Sequence, residues 1–336
     1  MSTIQELSID GLDLSGAKAL VTGGAGFVGS HLVDSLIEIG CQVRILDNLS
    51  TGKADNINSQ AEFLLGDVRN PEDVKSAVEG VDFVFHQAAQ INPAKAVQDP
   101  MFDFEVNAKG TLNLLFAAHK TGVKKFLLAS TNLYGDATSP TPKVSESLPI
   151  LAMSNSLLSP YAASKASAEA YLKVFNDEFN LPTVRLRYTN IYGPRQQYQG
   201  GSGVLAIFTE RALRNQPLSI FGSGNQSRDF VYVKDVVRAN IQAALSNQAN
   251  GQSFNIGSGK DTTVIELARK IIYLTKSQSL IEYLPTRVAD FQEVNVDITK
   301  AKDLIRWQPL VSLDVGLTNY IEWLSASCLI TEKTTK

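Results

Sequence analysis

The chain has 336 residues, 44% of them hydrophobic, and carries 31 Lys and Arg against 34 Asp and Glu, for a net charge of -3. That length supports one large or two medium domains with a sizeable core, and the balanced charge excludes the basic footprint of a nucleic-acid binder. No apolar run is long enough to span a membrane and no basic, apolar leader precedes the first strand-like segment, so no membrane partner and a cytoplasmic location are expected. Cys41 and Cys328 stand at opposite ends of the chain and read as ordinary thiols of a reducing compartment.

Met1 to Ser15 are polar with scattered Leu and Ile, which predicts an N-terminal extension over 1–16, outside the fold. Residues 18–22 (KALVT) read as a buried strand, and Ser30 to Ile39 carries apolar residues at helical spacing. Between them lies Gly24-x-Gly26-x-x-Gly29, which allows a tight turn, approach of a pyrophosphate to bare backbone and close helix–strand packing. The N–H groups and positive dipole end of the new helix favour phosphates there. Gln42 to Asp47 is a second strand, and Asp47 ends it. A carboxylate at that place accepts from ribose hydroxyls and repels a 2′-phosphate, which predicts NAD as the cofactor. Gly23, Gly26, Phe27, Val28, Gly29, Asp47 and Asn48 are the residues expected to hold it.

Ala61 to Leu65 is the next strand, with Asp67 and Val68 at its end placed to reach the adenine. A short helix is expected over 73–79, then a strand over Val81 to His86. Its end, His86-Gln-Ala-Ala89, sets Ala88 and Ala89 against the cofactor. Phe102 to His119 reads as one long amphipathic helix carrying Asn107, also assigned to the cofactor. Lys125 to Ala129 is the fifth strand. Ser159-Pro160 starts a helix from Tyr161 to about Phe179, and Thr183 to Arg187 is the sixth strand. This alternation predicts an α/β fold, a Rossmann-type doubly wound parallel sheet with sites at strand C-termini. After residue 190 the texture turns to loops rich in Gly, Ser and Gln, with helical stretches near 204–215 and 264–275. The expected division is a cofactor domain of 17–188 plus about 231–258, and a smaller C-terminal α/β substrate domain of about 189–230 plus 259–330.

Tyr161-Ala-Ala-Ser-Lys165 carries the chemistry. Residues four apart share a helix face, so the ammonium lies near the phenol. A free phenol has a pKa of about 10, too high for a base at neutral pH. A neighbouring Lys and an oxidised nicotinamide both favour phenolate.

Together these segments resemble the extended short-chain dehydrogenase/reductases, within them the sugar-nucleotide epimerases and dehydratases. The likeness runs from about Gly16 to Trp323 and includes Leu186-Arg-Tyr-Thr-Asn-Ile-Tyr-Gly-Pro-Arg195, Arg228-Asp-Phe-Val-Tyr-Val233 and Pro285-Thr-Arg-Val-Ala-Asp290. It implies a nucleotide-sugar substrate, with Arg228 and Arg287 on the diphosphate, Asp290 on the nucleotide ribose, Asn190 on a phosphate or sugar oxygen and Phe221 against the base. It also implies a hydroxyl at the end of the fifth strand that binds the sugar's 4-hydroxyl. Counting from the strand gives Thr131, the preferred choice, and counting back from Tyr134-Gly135 gives Ser130. The 4,6-dehydratases place Asp-Glu after that hydroxyl, and UDP-glucuronate decarboxylases keep a Glu in this turn. Here Asn132 and Leu133 follow. The resemblance therefore favours a 4-epimerase of a UDP-hexose or UDP-N-acetylhexosamine. A UDP-glucuronate 4-epimerase, a decarboxylase, a 4,6-dehydratase and a non-catalytic NAD-binding sensor are the alternatives. Val294, seven residues past Arg287, would line the 2-substituent, and its small size would admit an N-acetyl group. The stretch from Ile150 to Leu158 is longer than the family's pattern. The helices at 102–119 and 161–179 would build a homodimer through a four-helix bundle.

Overall fold

The computed structural model describes residues 12–132, 144–147, 159–196, 203–286 and 296–334, with side chains through 326. Strands and helices open the chain in alternation: β1 (Lys18–Thr22), α1 (Phe27–Glu38), β2 (Gln42–Asp47), β3 (Glu62–Leu65), α2 (Pro71–Val78) and β4 (Phe83–His86). Next come α3 (Pro93–Gln98), α4 (Pro100–Phe104), α5 (Gly110–Thr121), β5 (Lys125–Thr131), α6 (Pro160–Glu178) and β6 (Thr183–Tyr188). The second half holds β7 (Asn190–Tyr192), α7 (Val204–Leu213), β8 (Leu218–Phe221), β9 (Ser227–Tyr232), α8 (Val233–Leu245) and β10 (Ser253–Ile256). It ends with β11 (Asp261–Thr263), α9 (Val264–Thr275), β12 (Ile281–Leu284), α10 (Thr299–Ile305) and α11 (Leu313–Thr334).

Seven strands form one parallel sheet in the order β10-β6-β5-β4-β1-β2-β3. Helices cover both faces. On one, α1, α8 and α10 bury Leu32, Leu36, Val236, Ile241 and Ile305. On the other, α2, α5 and α6 bury Val74, Leu114, Leu172 and Phe175. Burial on two sides is why strand cores such as Phe126-Leu-Leu128 are continuously apolar instead of alternating. Strand order reverses between β1 and β4, which opens a crevice at their C-terminal ends. A third cluster, containing Tyr192, Phe208, Leu267, Leu317 and Tyr320, packs α7, α9 and α11 around the small pairings β11-β9-β7 and β12-β8.

Local chemistry sets the helix starts. Asn70 accepts from Glu72 N with Pro71 in the first turn, so α2 begins before the expected Asp73. Ser159 accepts from Ala162 N and Pro160 opens α6. Thr263 and Glu266 form a reciprocal capping box on α9.

The structure corrects four expectations. Residues 12–15 are not outside the fold, because Leu14 is 6% exposed and packs with Leu36 and Cys41. The helix expected over 102–119 spans 100–121 and is interrupted by a π turn, Glu105–Lys109. After residue 190, α8, α10 and α11 join the two helices anticipated there. Within 259–330, Ala301, Ile305 and Trp307 belong to the core of the large sheet, and Trp307 Nε1 donates to Asp235 O at 2.8 Å. Among the described residues, no helix is long and apolar enough to cross a membrane.

Candidate active site

The glycine loop fills the crevice end of β1. Gly23 has φ +70, and a Cβ there would lie 2.7 Å from Ala88 N, so this loop and the loop after β4 meet backbone to backbone. A Cβ on Gly29 would collide with Gly23 O. Only glycine permits both contacts. Gly26 is the N-cap of α1 and no side chain caps the helix, so the N–H groups of its first turn, at Phe27 to Gly29, point outward as an anion site. Asp47 ends β2, 8% exposed, and accepts from Ala25 N at 3.0 Å and Leu49 N at 2.8 Å. A carboxylate accepts about four hydrogen bonds, which leaves capacity for ribose hydroxyls. This bare backbone, uncapped helix and acceptor carboxylate suit a dinucleotide.

Other residues assigned to the cofactor make protein contacts. Asn48 Nδ2 donates to Asp67 Oδ2 at 2.8 Å. Asp67 is held by Arg69 at 2.8 and 3.0 Å, and that guanidinium keeps its carboxyl down at about 2. Its reach toward an adenine is therefore shared with Arg69, two residues further along the chain. Val68 is buried against Gly110. Ala88 N receives Thr22 Oγ1 as acceptor at 3.2 Å, and Ala88 and Ala89 are both half-buried. Asn107 is fully buried in the π turn. Its Oδ1 accepts from Gln90 N at 2.9 Å, and its Nδ2 donates to Gln90 O at 2.9 Å and to Ser164 Oγ at 3.2 Å. It therefore clasps the loop after β4 instead of facing the crevice.

Tyr161 and Lys165 sit in the first turns of α6, 8% and 2% exposed. The Tyr161 phenol shares a hydrogen bond with the Thr131 side chain at the end of β5. Lys165 Nζ donates to Ala129 O at 2.9 Å on the same strand. Ser130 turns the other way, and its Oγ donates to Glu169 Oε1 at 2.6 Å. Alternation along the strand separates the two hydroxyls, so the constellation at the crevice contains Thr131, and Ser130 lies beneath α6. Burial pushes the Tyr161 phenol up to about 12, Asp103 adds to this, and only Thr131 opposes it. Burial thus outweighs the lowering expected from Lys165. Burial also pushes Lys165 down to about 8.

Several buried groups behind this pair had been given no role from the sequence. Arg187 of β6 grips Glu169 of α6 in a bidentate ion pair, with Nη2–Oε2 2.7 Å. His86 is driven down to about 3, by burial first and then by the Lys165 charge, so it is a neutral ring. Its Nδ1 lies 2.7 Å from Thr22 Oγ1 and its Nε2 3.0 Å from Thr111 Oγ1. Thr111 donates onward to Asn107 O at 2.6 Å. That fixes Thr111 as acceptor from Nε2–H and Thr22 as donor to Nδ1. A directed chain of hydrogen bonds thus joins the glycine loop to the π turn.

Across the crevice, Asn190 Nδ2 donates to Asp229 O at 3.0 Å. Asp229 is fully buried and accepts from Thr189 Oγ1, Ser258 N and Gly259 N, which ties the ends of β6 and β10 to β9. Arg228 is half-buried and its Nη1 donates to Ser227 O at 2.7 Å. Phe221 ends β8, half-buried, beside Leu284 of β12. Arg287, Asp290, Val294 and the 150–158 insertion lie outside the described residues, as do Leu133 and Tyr134.

A seven-stranded parallel sheet with a glycine loop at its switch point and a Tyr–Lys pair on the helix after β5 defines a dinucleotide-dependent enzyme. The chain belongs to the NAD-dependent epimerase/dehydratase family, which it matches over residues 19–257, and NAD is its cofactor. It is 37% identical over 314 residues to the UDP-glucose 4-epimerase of Mycolicibacterium smegmatis, covering 91% of this chain and 98% of that one. The structure of Thermotoga maritima UDP-glucose 4-epimerase with UDP-glucose aligns at TM-score 0.87 and 41% identity, covering 93% of this chain and 99% of that one. UDP-N-acetylglucosamine 4-epimerase of Methanobrevibacter ruminantium, in complex with UDP-N-acetylmuramic acid, aligns at TM-score 0.87 and 33% identity, covering 94% and 100%.

Proposed function

We propose that this protein is a 4-epimerase of a UDP-sugar, acting through a transient 4-keto sugar. The observation that carries the reading is the Thr131–Tyr161–Lys165 cluster at the crevice, followed in the chain by Asn132 and Leu133 with no carboxylate. Eliminating water across C5 and C6 requires an added acid and base. Inverting C4 requires only one group that removes and returns the hydroxyl proton. Thr131 orients the sugar's 4-hydroxyl, Tyr161 takes its proton, and Lys165 stabilises the phenolate. When bound, NAD supplies the hydride acceptor and donor for C4 and a positive ring near Tyr161. The glycine loop, the first turn of α1 and Asp47 hold that cofactor, while Arg228, Arg287, Asp290, Asn190 and Phe221 hold the nucleotide. The named activities of the relatives support a UDP-sugar.

The test is to incubate the purified protein, without added cofactor, with UDP-N-acetylglucosamine and separate the sugar nucleotides. UDP-N-acetylgalactosamine is the expected product. No conversion of this sugar or of UDP-glucose, even with added NAD+, would move the assignment to UDP-glucuronate or a dTDP-sugar. Three substitutions sharpen the reading. Val294→Tyr should lose the acetylated substrate before UDP-glucose, and equal loss of both would sink the open-pocket idea. Thr131→Ala should cut kcat by about 10²-fold, in the range of a positioned proton-transfer group, whereas Ser130→Ala should act mainly on stability. The reverse ranking in kcat would reassign the hydroxyl.

A homodimer is part of the same proposal. Phe102 and Phe104 of α4, Phe116 of α5, and Tyr171 and Val174 of α6 are 39–49% exposed on adjoining helices. An apolar face of this kind suits a matching copy of itself.

A further inference from the structure

We propose that Asp103 is a positioning residue of this reaction: a buried anion that clamps the cofactor loop, the π turn and the catalytic helix together and serves as the fixed counter-charge of Lys165. The proposal rests on the reading of Tyr161 and Lys165 as the catalytic pair. Asp103 is fully buried on α4. Its Oδ1 accepts from Gln90 Nε2 at 2.8 Å and Asn107 Nδ2 at 3.2 Å, and its Oδ2 accepts from Ser164 Oγ at 2.5 Å. Gln90 lies in the loop that carries Ala88 and Ala89, and Ser164 lies between Tyr161 and Lys165. One carboxylate thus ties the floor of the cofactor pocket to the helix that bears the base. Ser164 Oγ is also 3.0 Å from Tyr161 O, so the clamp reaches the first turn of that helix.

The charge argument is separate from the clamp. All of Asp103's donors are neutral, and among the described residues no Lys, Arg or His forms an ion pair with it. Lys165 is likewise buried, and among the described residues its acceptor is a carbonyl, Ala129 O. A buried charge is tolerated only with compensation. Among the described residues neither has an ion-pair partner at contact distance, so these two opposite charges face each other's field in the same interior. The charges that oppose the desolvation of Lys165 are Asp103 first and Glu169 second, and Glu169 is already neutralised by Arg187. Asp103 is also the charge that disfavours phenolate at Tyr161.

The other ionisable groups around α6 do not duplicate it. On β6, Arg187 is spent on Glu169, and Arg185 contacts the carbonyls of Gly251 and Gln252. On the π turn, Glu105 and Lys109 are partly exposed and pair with each other. Lys95 of α3 is exposed, and His119 of α5 packs on Phe175 and Phe179 at the distant end of α6. His86 on β4 is neutral.

Asp103→Asn keeps shape and polarity while removing the charge. The readout is the absorbance titration of Tyr161 phenolate in the NAD-loaded protein, isolated by subtracting the matching Tyr161→Phe form. Its midpoint should fall by about one pH unit, as for removal of a neighbouring like charge, and the acidic limb of kcat/KM should move with it. Ser164→Ala removes the tie but not the charge. It should lower Tm without moving the midpoint. An unchanged midpoint in folded Asp103→Asn overturns the proposal whichever sugar is the substrate, because the titration needs none. Should that variant not fold, Lys165→Met gives the reciprocal test. Deprived of its counter-charge, the Asp103 carboxylate should cost stability that adding Asp103→Asn restores, so the double variant should melt above Lys165→Met alone. A double variant no more stable than Lys165→Met would equally overturn it.

Discussion

Replacing Tyr161 by Phe should lower kcat for UDP-sugar epimerisation by about 10³-fold, within the range for loss of a positioned general base, while bound NAD and Tm stay close to the parent. The ring remains buried in the same packing, and the phenol's polar contact is with Thr131 at the crevice, so little else depends on the oxygen. The size of the effect follows from what burial does to this group. At about 12 the phenol is an inadequate base on its own. Its function therefore depends on the cations beside it, the resident Lys165 ammonium and the oxidised cofactor ring once bound. The sign of the pH dependence follows: the working form is phenolate, so kcat/KM of the parent falls as pH drops, and Tyr161→Phe should lose that acidic limb. Single-turnover measurements on protein that retains its NAD would separate this from loss of cofactor. Undiminished turnover in Tyr161→Phe would falsify the assigned chemistry.

The glycine-loop part of the candidate cofactor site was legible because its signals are local. A strand, three glycines, a helix start and Asp47 lie within thirty residues, and each has a backbone or dipole reason to be there. Tyr161 and Lys165 were legible for the same reason, one helical turn apart. Thr131 came from counting along a strand, where period two leaves little freedom. Asp103 was not legible: its partner Ser164 is 61 residues away in the chain, and an Asp in a helix ordinarily faces water. Glu169 and Arg187 escaped likewise, since each reads alone as a solvated charge. The π turn at Glu105–Lys109 has no composition of its own and lies where Asn107 bonds Ser164 of α6 and Thr111 bonds His86 of β4. Of the second-half helices, α10 is seven residues long, too short to show a period, whereas α8 carries apolar residues at helical spacing, Val233, Val236, Val237, Ile241 and Ala244, and was legible in principle.

Glu169→Gln should destabilise the fold by about 3–5 kcal/mol, the usual cost of stripping one partner from a buried ion pair. Arg187 is 6% exposed and Glu169 is fully buried, so no water can take over the guanidinium. The glutamine can accept from only one Arg187 nitrogen while still receiving the Ser130 hydroxyl, whereas the carboxylate serves both. Thermal unfolding should show this as a Tm drop of at least about 6 °C. Activity should fall too, and by a different route from that of Tyr161→Phe. The pair fastens α6 to β6, Ser130 fastens it to β5, and Thr131 is the next residue on that strand. Loosening α6 therefore changes the spacing of Thr131 and Tyr161, so kcat should drop with temperature before the protein unfolds. Substituting Glu169→Met and Arg187→Leu together should recover part of the lost stability, since replacing both charges removes the desolvation cost that breaking the pair exposes. Ser130 would then lack its acceptor, so recovery should be incomplete unless Ser130→Ala is added. If Glu169→Gln melts with the parent, the pair is not what holds the catalytic helix to the sheet, and the clamp at Asp103 would have to carry that role alone.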